Sequence, residues 1–118
     1  MTSDFHLNGR YWPVSSRFLR RGTFIIDLVN QQVTINNKQI QLPGCAFECL
    51  VLLVRNSPKP VSFVDLAQAT PGPLLSQVDI QDKARLHIYI LKKVFEHNQE
   101  SSSRIRAVPG YGYWLKTY

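Results

Sequence analysis

The apolar residues of this 118-residue chain change their spacing twice, and that double change limits the folds open to it. Residues 23–42 alternate: TFIIDLV, VTI and QIQL are β-branched runs separated by NQQ and NNK, a pattern that predicts short antiparallel strands joined by tight turns. After Pro43-Gly44 the period becomes helical. In GCAFECLVLLVRN, Phe47, Leu50, Val51 and Val54 recur at steps of three and four until Asn56-Ser57-Pro58 ends the run. The tail RIRAVPGYGYWLKTY returns to alternation around Pro109-Gly110-Tyr111-Gly112, a turn between two strand-forming arms. Strands, then helices, then a hairpin predict an α+β domain.

Two further helices lie between these ends. Ser62-Phe63-Val64-Asp65 is a short capping box, and the helix it opens runs to about Ala69, because Thr70-Pro71-Gly72-Pro73 breaks it. A third helix is expected from about Ile80 to His97. At 100° per residue Ala84, Ile88, Leu91 and Phe95 fall within about 60° of one another and form its core stripe. Arg85, Tyr89, Lys92 and Lys93 lie off that stripe, facing solvent or a ligand. Leu86, Ile90 and Val94 form a second apolar stripe, expected opposite the core, which contacts thymine methyls, packs under another element or meets a protein. Residues 1–22 interleave aromatic and basic residues (Tyr11, Trp12, Arg17, Phe18, Arg20, Arg21). They are expected to form a separate N-terminal segment with an edge strand near residues 11–14, leaving 23–118 as the domain proper.

With 44% hydrophobic and 19% charged residues the chain has enough apolar surface for a core. Its net charge of +6 is unevenly placed. Residues 83–118 carry seven basic side chains against Glu96 and Glu100, a net of +5; residues 1–21 carry +3; the middle is net −2. Basic ends suit nucleic acid, an anionic membrane face or an acidic protein, and charge alone does not choose among them. There is no apolar run long enough to span a bilayer, and MTSDFHLNGR lacks the pattern of a secretory signal, so the chain reads as cytoplasmic. Cys45 and Cys49 are read as small core residues. Asp79, Asp82 and His87 point in different directions around one helix and make no metal site. No nucleophile–base pair or phosphate-cradling glycine loop is present, so no catalytic residue, metal or cofactor is expected.

Two segments in this order carry a resemblance. QIQLPGCAFECLVLLVRNSPKPVSFVDL resembles the first-helix block of the OmpR/PhoB-type winged helix-turn-helix domains, and RIRAVPGYGYWL is similar to their wing, over about residues 25–115. Pro109 before Gly110 is closer to the ToxR/CadC-like branch. The resemblance implies a transcriptional regulator that binds double-stranded DNA in a sequence-specific manner, with a recognition helix of about residues 80–96 in the major groove and a wing of about 104–116 at the minor groove. Carried over residue by residue, it implies contacts from Lys83, Arg85, His87, Tyr89, Lys92 and Lys93 on the helix. It implies others from Arg104, Arg106, Tyr111 and Lys116 on the wing, with His87 half-exposed at the family's helix-histidine position and Tyr113 facing the core. Ile90 stands where the family often has arginine, and Asp82, where a basic residue is frequent, opposes phosphate.

As partners the resemblance implies a second copy, head to tail on direct repeats, and RNA polymerase through the loop of residues 71–77 with Leu74 and Leu75. It further implies the cytoplasmic domain of a bacterial inner-membrane regulator of virulence or stress, with a membrane anchor outside this chain. The alternative reading is a protein-interaction winged helix that binds another regulator through the Leu86/Ile90/Val94 face.

Overall fold

In the computed structural model, residues 6–7, 10–11, 17–73 and 76–118 are described. Strands β1 (His6–Leu7) and β2 (Arg10–Tyr11) pair antiparallel; residues 12–14 of the expected edge strand, and Leu74 and Leu75, lie outside the described residues.

A four-stranded antiparallel meander follows, in the order β3 (Phe18–Arg21), β4 (Phe24–Asp27), β5 (Gln32–Ile35), β6 (Lys38–Ile40). The β5–β6 connection is the two-residue Asn36-Asn37, both at positive φ (52° and 65°), which matches the twist of the flanking strands and is tolerated by asparagine. Alternation puts Phe24, Ile26, Val33, Ile35 and Ile40 on the buried face. β3 lies before the boundary expected after residue 22 and pairs with β4 along its whole length, Phe18 opposite Asp27 and Arg21 opposite Phe24. Arg21 then reaches over to donate to the carbonyl oxygens of Arg55 and Ser57, both at 3.3 Å, at the C-terminus of the first helix, where carbonyls lack helical partners.

The sheet also carries a buttressed carboxylate. Arg17 grips Asp27 with two parallel hydrogen bonds of 3.0 Å, and the amides of Val29 and Asn30 donate to Asp27 Oδ1. The Arg17 bond first, then the two amides, hold the Asp27 carboxyl down to about 2. A carboxyl near 4 in the unfolded chain and near 2 in the folded one stabilises the fold above about pH 4, and that contribution disappears as pH falls through 2. Acid unfolding followed by circular dichroism should therefore steepen between about pH 4 and 2 in the parent and be flatter there in Asp27→Asn. An identical acid limb in the two proteins counts against the assignment.

Helix α1 (Gly44–Asn56) has the bounds expected from its sequence and buries Ala46, Phe47, Cys49, Leu50, Val51, Leu53 and Val54. Cys49 is fully buried, which pushes its thiol up to about 12, while Cys45 is half-buried; both are free thiols. Strand β7 (Val61–Ser62) leads into α2 (Phe63–Ala67), whose capping box is formed: the Asp65 amide donates to Ser62 Oγ at 3.1 Å. Helix α3 (Gln77–His97) starts three residues before the expected point, because Ser76 caps it by accepting from the Asp79 amide. Ala84, Ile88, Leu91 and Phe95 are all buried, as the phase requires, and Phe95 meets Phe24 of the sheet at 6.2 Å between ring centroids.

After a 3₁₀ turn (Ser102–Arg104) the chain closes as the hairpin β8 (Ile105–Val108) and β9 (Gly112–Leu115). β9 lies between β8 and β7, so the hairpin is fixed to the residue that caps α2. No described helix is long and apolar enough to cross a membrane.

Candidate nucleic-acid interface

The exposed side of α3 and the tip of the hairpin meet at one residue, Phe63. Its amide donates to the Tyr111 carbonyl at 2.8 Å, and its ring stands edge-on to Tyr113, 6.0 Å between centroids. The guanidinium of Arg85 lies over the same ring at 5.5 Å. Helix, capping turn and wing therefore share one seam. The sequence reading used Phe63 only as part of a capping box; the signal available was an aromatic residue directly after an N-cap in a chain that also carries a Gly-x-Gly-Tyr hairpin.

The candidate side chains fall into three groups. Arg85, Tyr89 and Lys93 are exposed on α3, with Lys93 Nζ 5.4 Å from the Tyr89 ring centre and 3.6 Å from Glu96. Arg106 and Tyr111 are exposed on the hairpin, and the Arg106 guanidinium rests 5.8 Å from the Trp114 ring, which gives Trp114 a packing partner. A second group is half-buried and engaged with the protein itself. Lys83 donates to the Thr70 carbonyl at 3.1 Å; Arg104 donates to the Lys116 carbonyl at 3.1 Å and covers the Phe24 ring. Arg104 thus belongs to the junction with the sheet, while Arg106, two residues on, is exposed. Lys116 is half-buried with its ammonium 5.4 Å from the Tyr118 ring, and Lys92 is half-buried on the flank of α3.

His87 forms the third group and corrects an expectation. It is not half-exposed but 5% exposed; Nδ1 donates to the Leu66 carbonyl at 3.2 Å and Nε2 lies 3.4 Å from the Thr70 hydroxyl. The ring joins the Leu66 carbonyl, near the C-terminus of α2, to α3 and so ties the two helices together.

The second apolar stripe is not wholly opposite the core. Leu86 is, but each i+4 step advances 40° around the helix, and from Leu86 the drift carries Ile90 and then Val94 back toward the core stripe. Leu86 is 55% exposed, whereas Ile90 and Val94 are half-buried and packed against the core cluster with Leu42. Beside them runs a groove of about 350 Å³ lined by Gln41, Tyr89, Ile90, Lys93, Val94, His97 and Asn98. The stripe does not form a single exposed patch. Among the described residues no cluster of metal-ligating side chains occurs.

No protein-family model matches the sequence, and no curated protein matches it. Solved structures do. The AdeR DNA-binding domain, determined in complex with an intercistronic region, superposes at a TM-score of 0.70 with 17% identity, over 85% of this chain and 99% of that one. The RstA DNA-binding domain of Klebsiella pneumoniae, in complex with the RstA box, gives 0.70 with 21% identity over 86% and 99%. The DNA-binding domain of Escherichia coli CadC gives 0.58 with 19% identity over 84% and 91%. The chain has the winged-helix fold of these DNA-binding domains, the fold that the sequence resemblance implied.

Proposed function

We propose that this domain binds double-stranded DNA and regulates transcription, with α3 in the major groove and the β8–β9 wing at the adjacent minor groove. The observation that carries this reading is the Phe63 seam: it holds α3, through Arg85, and the wing, through Tyr111 and Tyr113, in one fixed relation, as two points along a duplex require. Solved neighbours of the same fold, determined on DNA, support it. Lys93 and Arg106 are the phosphate-directed side chains; Lys92 and Lys116, half-buried, assist from the flanks. Lys83 and Arg104 serve the fold first, because each holds a backbone carbonyl. The work of the domain is recognition, without a catalytic step.

The test is fluorescence anisotropy on a labelled random duplex across a salt series. Each neutralised phosphate contributes a log–log slope of about −0.9. Lys93→Ala with Arg106→Ala should bind with a slope shallower by about two units and lose affinity uniformly across sequences. Absence of binding at low salt, or a slope unchanged in the double variant, rules the reading out.

A further inference from the structure

Among the exposed cations of α3 and the wing, Arg85 is the one held on the most sides. Its guanidinium carbon lies over the Phe63 ring, 5.5 Å from the centroid, Asp82 Oδ1 stands 3.6 Å from Nη1, and Nη2 donates to Gln81 Oε1 at 3.4 Å. Helical side chains lean toward the N-terminus, and this one follows the rule: it carries its fork from position 85 back over residues 81–82. The N-terminal part of a recognition helix is the part that reaches base edges. A planar fork already oriented has less rotamer freedom to lose on binding, and its geometry matches the paired O6 and N7 acceptors of guanine. Lys93 has no such frame; it is a point charge beside Glu96 and an aromatic ring.

Asp82 gains a role from the same geometry. An exposed carboxylate on a DNA-facing helix opposes phosphate, yet this one lies within charge-pairing distance of the cation that sits over Phe63. We infer that Arg85 is the guanine-reading residue of this domain and that Asp82 is its positioning residue, trading phosphate affinity for base selectivity. The inference rests on the DNA-binding reading above and adds to it a specificity: a guanine opposite the N-terminal half of α3.

Selection from a random duplex pool, followed by anisotropy on the selected site and on a single-base variant of it, tests this. The parent should select a site with a required guanine. Arg85→Lys keeps the charge and loses the fork, so preference for that guanine should fall by roughly 5- to 150-fold, a larger change than the one in random-duplex affinity. Asp82→Asn should move two readouts in opposite directions: tighter binding to random duplex, and weaker guanine preference. If Arg85→Lys keeps the parent's guanine preference, or the parent binds duplex with no base preference, the assignment of Arg85 is overturned while DNA binding stands. If Asp82→Asn binds random duplex more tightly with its preference intact, the role given to Asp82 is overturned. If the parent binds no duplex at low salt, the DNA reading falls and this assignment with it. Thermal melts of both variants within about 2 °C of the parent, as expected for exposed side chains, separate these effects from misfolding.

Discussion

Gly112→Ala should cost the domain about 3 kcal/mol, the upper end of the usual range for overpacking, and should disrupt the wing rather than merely weaken it. A Cβ built on Gly112 lies 1.9 Å from the Val61 carbonyl oxygen, 2.8 Å from its carbon and 2.9 Å from Ser62 Cα. All three are backbone atoms, so no side chain can rotate away; β7 and β9 must separate where Ser62 faces Gly112. That separation pulls on the α2 cap and on the Phe63–Tyr113 contact together. Gly110→Ala is the informative control. Gly110 sits at φ 76°, but a Cβ there meets nothing within 4 Å, so the cost is the left-handed dihedral alone, about 1–2 kcal/mol. Chemical denaturation of the two variants should rank them in that order. At temperatures where both remain folded, the Gly112 variant should show the larger loss of duplex affinity. Equal destabilisation would mean that dihedral strain, rather than the closeness of β9 to β7, accounts for both.

Phe95→Ala should be as damaging from the opposite side of the domain, at about 3–5 kcal/mol out of a total of 5–15 for a protein of this kind. Phe95 is fully buried, and its ring meets Phe24, which is also fully buried and is covered in turn by the Arg104 guanidinium at 5.5 Å. Truncation leaves a cavity between α3 and the sheet that α1 cannot fill by sliding, since Arg21 holds the end of α1 by two carbonyls. Phe95→Leu, which keeps most of the volume, should recover more than half of the loss in a urea titration. A loss under about 1 kcal/mol for the alanine variant would show that α3 and the sheet are not coupled through this pair.

The elements that were legible from the residues are those in which one period dominates. α1 could be bounded because Pro43-Gly44 and Asn56-Ser57-Pro58 punctuate a helical run, and the Ala84/Ile88/Leu91/Phe95 stripe could be phased because four apolar residues agree. β3 was not legible: only Leu19 of FLRR packs against the core, and its two arginines are exposed, so no alternation announces a strand. The early start of α3 was written in Ser76 and Asp79, a serine with an acid three residues on, which the expected boundary passed over.

His87 is the instructive miss. By phase it lies about 60° from Ala84, at the margin of the core stripe, and that alone points inward. What sequence did not contain was its partner, since the Leu66 carbonyl comes from another helix. The same holds for Lys83 and Arg104, which sequence counts as free charge and tertiary structure assigns to backbone oxygens. At the candidate interface, sequence named Arg85, Tyr89, Lys93, Arg106 and Tyr111 as candidates; the seam that brings them together depends on a loop closing over Phe63, which no periodicity encodes.

The two ends of α3 are held very differently. Beyond its C-terminus, Lys38 of the neighbouring hairpin bonds to the Asn98 carbonyl and pairs with Glu100 at 3.5 Å, and Asn36 donates to the same carboxylate at 3.4 Å. Further along, His87 and Lys83 tie the helix to Leu66 and Thr70. N-terminal to Lys83 the described contacts thin out, and Gln77, Val78 and Asp79 are exposed. In mechanical terms α3 is a beam clamped at one end and propped twice in its middle by side-chain hydrogen bonds, and it runs six residues, about 9 Å at 1.5 Å per residue, past the last of those bonds, where only the half-buried Ile80 still leans on α2. The compliance of such a beam is greatest at the tip of the overhang. This domain therefore concentrates its give at the N-terminal turn of α3 and its stiffness where α3 joins the sheet.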